Sequence, residues 1–261
     1  MTVRQVFYAL SVRGVIEKTE VEYKQTVIRL LDEMRWAGDI AWDDISDAPR
    51  WTHKSESFAG LEDAIRRTAV FYRRDLWANP DHYVEFWCEK GALAGVISEI
   101  TNEFNVPLMV SRGFASSTYL RRAASQITKI NKPTFVYHFG DHDPSGLWIR
   151  GQAECGLQEH LDDIGEFDLD DFTFERIAVT PEQIVQWELP TRPTKTEAEG
   201  NNHAKAFTGD SVELDAIPIP RLHQLIRDCI DRHIDHRQLE ILREAEASER
   251  AALFRLSLDA S

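Results

Sequence analysis

Residues 133–151 read PTFVYHFGDHDPSGLWIRG. Thr134 to Phe139 form a short run of β-branched and aromatic residues, which predicts a buried strand. Gly140 breaks the run, and the polar turn after it carries Asp141 and Asp143. Pro144 and Ser145 then open a segment, SGLWIRGQAECGLQEHL, with the spacing of a helix. The same alternation extends in both directions. HYVEFWC (82–88) is a strand and GALAGVISEITNEF (91–104) a helix. VPLMVS (106–111) is a strand, ASSTYLRRAASQI (115–127) a helix and FTFERIAV (172–179) a fourth strand. Repeated β–α units of this kind predict an α/β fold, a Rossmann-like, mostly parallel sheet with helices on both faces. Ligands of such sheets sit at the carboxyl ends of the strands.

Two of those ends carry acids. The first strand runs into Glu89 and the third into Asp141 and Asp143. Ends of parallel strands open on one edge, so the carboxylates converge there and repel one another. A hard divalent cation, Mg²⁺ or Mn²⁺, relieves that repulsion with oxygen ligands, waters and phosphate around it. The competing reading makes the aspartates turn formers and Glu89 an acid at a helix start. Arg112 ends the second strand on the same edge, as a phosphate contact or as a surface residue. Glu213 and Asp215, in VELDAIP, are further carboxylates for the same edge.

Asn79-Pro80 closes a first third of different character. Thr2 with Gln5, then Thr19 with Glu22, are capping-box patterns. Each precedes a helical stripe: Val3, Val6, Phe7 and Leu10, then Val27, Leu30, Leu31 and Met34, ending near Gly38. IAWDDI (40–45) alternates like a short strand or wing. Helices followed by a wing predict a winged-helix-like element, a fold that lays a helix in the DNA major groove; a small helical cap is the other reading. Residues 56–78 read as one more amphipathic helix. Its Arg66, Arg67, Arg73 and Arg74 are either solvated or track a nucleic-acid backbone. The expected domains are 1–79, 80–189, and a loop with a helical extension over 190–261.

Charge refines this picture. The chain of 261 residues carries a net −14, which argues against a general polyanion binder. Its first 80 residues hold 12 basic and 13 acidic side chains, and nearly all the excess acid lies beyond them. Nucleic acid is therefore expected across the first third and the polar 190–211 loop. No apolar run is long enough to span a membrane, and the opening MTVRQVFYAL, with Arg4, does not read as a signal peptide. Three widely spaced cysteines, Cys88, Cys155 and Cys229, fit a reducing cytoplasm better than a disulfide framework.

The β–α order, the Glu89 strand end and the GDHDPSG turn together resemble a Toprim domain, the metal-binding module of topoisomerases, primases and some nucleases. The Asp-x-Asp-Pro-x-Gly form is similar to that of the topoisomerase VI A subunit and the related meiotic double-strand-break protein. It also resembles the Toprim nuclease subunit of Wadjet-type plasmid defence systems, a group with stand-alone phage and prophage relatives. The resemblance spans residues 82 to about 180, with a preceding winged helix matched less specifically. That group carries a nucleophilic tyrosine in an Arg-acid-x-aromatic-Tyr motif. Arg4-Gln5-Val6-Phe7-Tyr8 stands at the matching place, with Gln5 where the group has an acid. Arg4 and Tyr8 are i and i+4, on one helix face.

The resemblance implies Mg²⁺-dependent cleavage of double-stranded DNA. Tyr8 would attack and Arg4 would hold phosphate. Glu89 would act as general acid/base and, with Asp141 and Asp143, bind metal. It further implies a homodimer and, since no P-loop is present, a separate ATPase subunit for any strand passage. Two other readings stand beside it: a hydrolytic endonuclease with water as nucleophile, and a non-catalytic DNA-binding or assembly module.

Overall fold

The computed structural model describes residues 2–41, 44–45, 57–77, 80–111, 113, 115–194 and 207–259. Two compact units share the chain, one made of Met1–Ala48 with Asp81–Asp228, the other of Pro49–Pro80 with Cys229–Ser261.

The first unit is built on a sheet of β1 (Tyr83–Cys88), β2 (Leu108–Val110), β3 (Thr134–Phe139) and β4 (Phe172–Ala178). Its order is β2-β1-β3-β4, and every pairing is parallel. The α/β expectation holds to within a few residues at each strand. Helices α4 (Ala94–Glu103), α5 (Ser117–Ile130) and α6 (Pro144–Ile164) make the crossovers. From β1 the chain steps one way to β2, then back across β1 to β3, so with right-handed crossovers α4 lies on one face and α5 and α6 on the other. The reversal falls between β1 and β3, a switch point where a crevice opens at the strand ends.

Side chains two apart on a strand share a face. On β1, Tyr83 and Trp87 join Met109, Val136, Phe172 and Phe174 against Leu120, Ala124 and Ile127 of α5 and Ala153, Leu157 and Leu161 of α6. Glu85 lies on that same buried face. Tyr83 Oη and Trp87 Nε1, at 2.8 Å for the latter, donate to its two oxygens. Burial pushes the Glu85 carboxyl above its ordinary range. On the opposite face Phe86 packs on Tyr137 and Phe139.

The first third is helical where described. Both halves of the Thr2–Gln5 capping box form, Gln5 N donating to Thr2 Oγ1 at 3.1 Å and Thr2 N to Gln5 Oε1 at 2.8 Å. They start α1 (Val3–Val12), which buries Phe7 and Tyr8. Glu22 N donates to Thr19 Oγ1 at 3.2 Å ahead of a π-helical stretch, Glu22–Ile28, continuous with α2 (Arg29–Ala37). Gly38 ends it at φ +82°. Of the expected stripe only Val27 is buried, while Leu30 and Met34, one turn apart in α2, are exposed. Ile40, Ala41, Asp44 and Ile45 are not in a strand, and Trp42 and Asp43 lie outside the described residues.

In the second unit α3 (Leu61–Phe71) runs along α9 (His236–Asp259). Tyr72 Oη donates to Glu249 Oε2 at 2.7 Å and Arg250 Nη2 to the Tyr72 carbonyl at 2.9 Å. A short α7 (Pro181–Gln186) and α8 (Ile219–Asp231) complete the helices described.

Leu157 is fully buried where α6 meets the sheet. Leu157→Ala should cost about 2–5 kcal/mol of stability through lost burial and the cavity left behind. Urea unfolding measures it, and a loss well under 1 kcal/mol would mean that this face is loosely packed.

Candidate metal centre and catalytic site

Strands β1 and β3 end level, with Cys88 opposite Phe139. The next residues are Glu89 and Gly140, and Glu89 N donates to the Phe139 carbonyl at 2.9 Å. Glu89 points at the β3 turn. A Cβ at Gly140 would stand 2.7 Å from Glu89 Oε2, and one at Gly146 only 2.3 Å from the Asp141 carbonyl oxygen. Side chains there would push the carboxylates apart, which explains the two glycines of GDHDPSG. Asp143 is the N-cap of α6, its Oδ1 accepting from Gly146 N at 2.7 Å. Asp141 Oδ1 accepts from Leu214 N at 2.7 Å.

That last bond ties a distant segment to the site. His142 and Val212 exchange backbone hydrogen bonds at 2.8 and 2.9 Å, which seats the turn Leu214–Ala216 on the strand ends and brings in Glu213 and Asp215. Lys90 joins the acids. Its Nζ lies 3.3 Å from Asp141 Oδ1 and 3.1 Å from Glu213 Oε2, and it also pairs with Asp215. Arg192 approaches Asp143 Oδ2 at 3.6 Å. From β4, Arg176 Nη2 donates to the Asp141 carbonyl at 2.6 Å and the Gly140 carbonyl at 3.2 Å.

The acids feel one another. Burial, then Asp141 and Asp143, push the Glu89 carboxyl from 4.5 up to about 7. Burial likewise raises Asp141, against the pull of Lys90 and the Leu214 amide. Burial alone would discharge Lys90, but Asp141, Asp215 and Glu213 outweigh it and hold the ammonium above the usual lysine range. Burial also disfavours the Glu213 carboxylate, yet Lys90 and Arg4 hold its pKa below normal.

Glu89, Asp141 and Asp143 thus meet at one strand edge. Among the described residues, no three His, Cys, Asp or Glu side chains stand so that they close on one ion. The donors still suit a hard cation. Mg²⁺ commonly takes one or two carboxylates and fills its shell with water and phosphate. Among the described residues Glu89 Oε2 is buried without a hydrogen-bond partner, near Asp143, whose Oδ2 faces Arg192 at 3.6 Å. These two would hold the ion, with Asp141 adjoining.

Tyr8 lies in the same unit. Its ring is 4% exposed, with Lys18 Nζ 4.9 Å from the ring centroid. Burial, then the nearby Glu213 carboxylate, raise the pKa of the Tyr8 hydroxyl. Arg4 Nε stands 3.6 Å from Glu213 Oε2, and its Cζ lies 5.0 Å from the Tyr23 ring centroid. Arg4, Tyr8, Lys90 and Asp141 are therefore linked through Glu213.

The four arginines proposed for DNA lie in the second unit, each beside a carboxylate. Arg66 and Arg67 reach Asp63 Oδ1 at 3.1 and 3.2 Å, Arg73 reaches Glu246 at 3.6 Å and Arg74 reaches Glu249 at 2.6 Å. Arg112 and most of the 190–211 loop, residues 195–206, lie outside the described residues.

Sequence reasoning missed Lys90, Arg176 and Arg192. Arg176 left a signal: a charge inside a mostly buried strand needs partners, and FTFERIA carries two, Glu175 and Arg176. Lys90 left only its place after Glu89.

No family model matches the chain, and no curated protein matches it. No helix among the described residues is long and apolar enough to cross a membrane.

The Glu89 shift has a definite sign. Between about pH 4.5 and 7 the folded chain keeps a proton there that the unfolded chain has released. Folding takes up that proton, so Glu89 lowers stability as pH rises through the window. In chelator, urea unfolding from about pH 5 to about pH 8 should show wild type losing stability on the way up and Glu89→Gln losing less. Parallel curves would show that Glu89 ionises normally.

Proposed function

We propose that the protein is a metal-dependent DNA-cleaving enzyme of Toprim type, similar in architecture to the topoisomerase VI A subunit. The observation that carries this reading is the meeting of Glu89, Asp141 and Asp143 at the β1/β3 switch point, with Glu89 Oε2 buried and partnerless. The reading takes α1 and α2 as a winged-helix-like element and double-stranded DNA as substrate. It places the protein in the cytoplasm as a homodimer, with any strand passage driven by a separate ATPase subunit.

Glu89 and Asp143, with Asp141 beside them, would hold Mg²⁺ or Mn²⁺. A divalent ion there supplies positive charge to the phosphate oxygens as the bond breaks. When Glu89 is not on the ion, its carboxyl, raised to about 7 without metal, could hand a proton to the leaving oxygen near neutral pH. Tyr8 would attack phosphorus, with Glu213 placed to accept its proton. Arg4 stands one helical turn from Tyr8, where a guanidinium can hold the phosphate.

A specific observation favours the second reading, hydrolysis by water. Tyr8 is buried, and its hydroxyl is pushed away from the phenolate rather than towards it. Tyr8→Phe separates the two. Supercoiled plasmid is incubated with protein and Mg²⁺, then denatured with and without proteinase. A tyrosyl enzyme leaves DNA that enters the gel only after proteinase, and Tyr8→Phe should cut that cleavage by about 10³-fold or more. A hydrolase leaves free ends, and Tyr8→Phe should cleave nearly as well as wild type. Asp141→Asn with Asp143→Asn should abolish either activity; cleavage that survives it would overturn the metal site itself.

A further inference from the structure

Lys90 holds a place that the metal reading leaves unexplained. An ammonium has three hydrogens to donate, and three carboxylates surround this one: Asp141, Glu213 and Asp215. The Lys90 side chain is 20% exposed and that of Asp215 not at all. For Asp141 and Asp215, Lys90 is the cation at ion-pair distance among the described residues. Glu213 has Arg4 and Arg192 as well, at 3.6 and 3.8 Å. A buried carboxylate without a counter-charge is costly, and Lys90 supplies that counter-charge to Asp141 and Asp215 side by side.

That same charge opposes a second cation. An ion held by Glu89 and Asp143 would lie against Asp141, whose Oδ1 is already taken by Lys90 and by Leu214 N. Whichever Asp141 oxygen faced the ion, one carboxylate would then lie between a 2+ charge and an ammonium, and those two repel. Resting on the metal reading above, we propose that Lys90 is the site's own exchangeable cation: it holds the carboxylates together before metal arrives, and a divalent ion binds by drawing Asp141 away from it. Lys90 thereby sets the metal affinity, acting as a positioning residue through Asp141. Residues that only brace a site make metal bind better; Lys90 makes it bind worse.

The test uses the whole chain, with Mn²⁺ as the probe. In calorimetry Lys90→Met should bind Mn²⁺ about tenfold more tightly than wild type, or better. Its metal-free melting temperature should be lower, with saturating Mn²⁺ recovering more of it than in wild type. Lys90→Met that binds Mn²⁺ equally or more weakly, while wild type binds, would overturn the proposal and leave the metal site standing. Should Lys90→Met fail to fold, wild type decides. Acetylation by a lysine-directed ester, followed by mass spectrometry, should show Lys90 reacting several-fold faster in saturating Mn²⁺, with exposed Lys24 unchanged. A Lys90 rate that is flat or slower at saturation would overturn it. If wild type binds no Mn²⁺ but Lys90→Met does, exchange is supported in its strongest form. If both fold and neither binds, the metal reading itself fails and takes this proposal with it.

Discussion

A parallel sheet ends all its strands on one edge, and where its winding reverses the helices part and leave that edge open. In this chain the reversal falls between β1 and β3, and these strands end level. The residue after β1 and the turn after β3 are thereby forced together. The sequence has placed acids at both. Much else in the unit follows from having to keep those acids in one partly dry crevice. Gly140 and Gly146 leave room for them, Asp143 is spent partly on capping α6, and cations from Lys90, Arg176 and Arg192 gather round.

Glu85 shows what the same sheet does with an acid it does not use. It is as buried as the core around it, yet Tyr83 and Trp87, its neighbours at two-residue spacing, donate to both of its oxygens. Glu89 lies four residues further on, and its Oε2 has no such partner. A satisfied buried carboxylate is a structural group; an unsatisfied one at an open strand edge is available to a ligand. The contrast within a single strand is why the edge, rather than acidity in general, supports the functional reading.

Much of this was legible in the sequence, for a local reason. Strand-length apolar runs and helix-length amphipathic runs alternate from residue 82 to 179, and neighbouring β–α units have few ways to pack. Glu89, Asp141 and Asp143 could be placed at strand ends from the sequence because strand ends are themselves local features. What could not be read depends on distant pairing. Nothing near Glu213 announces that Val212 bridges to His142 and sets the turn against Asp141. Nothing in the 56–78 stretch names α9 as its companion, because an amphipathic face shows that it will be covered and not by what. The stripe in α2 shows the same limit, since Leu30 and Met34 share an apolar face by spacing and yet are exposed.

Glu213 joins these two kinds of information. It lies far along the chain from both Tyr8 and Asp141, yet its charge reaches the Tyr8 hydroxyl, it pairs with Arg4 and it shares Lys90 with Asp141. The first helix and the strand ends are thus one electrostatic system. Charge added at Asp141 changes what Lys90 can offer Glu213, and a Glu213 freed from Lys90 is a stronger acceptor for the Tyr8 proton. Gln5, one turn before Tyr8, belongs to the same helix. Its amide is buried and its oxygen is occupied by the Thr2 amide, while its nitrogen has no partner. An acid there would add a further negative charge beside a tyrosine that Glu213 already holds. With Gln5 neutral that charge is absent, and Glu213 is the carboxylate that, after burial, raises the Tyr8 pKa.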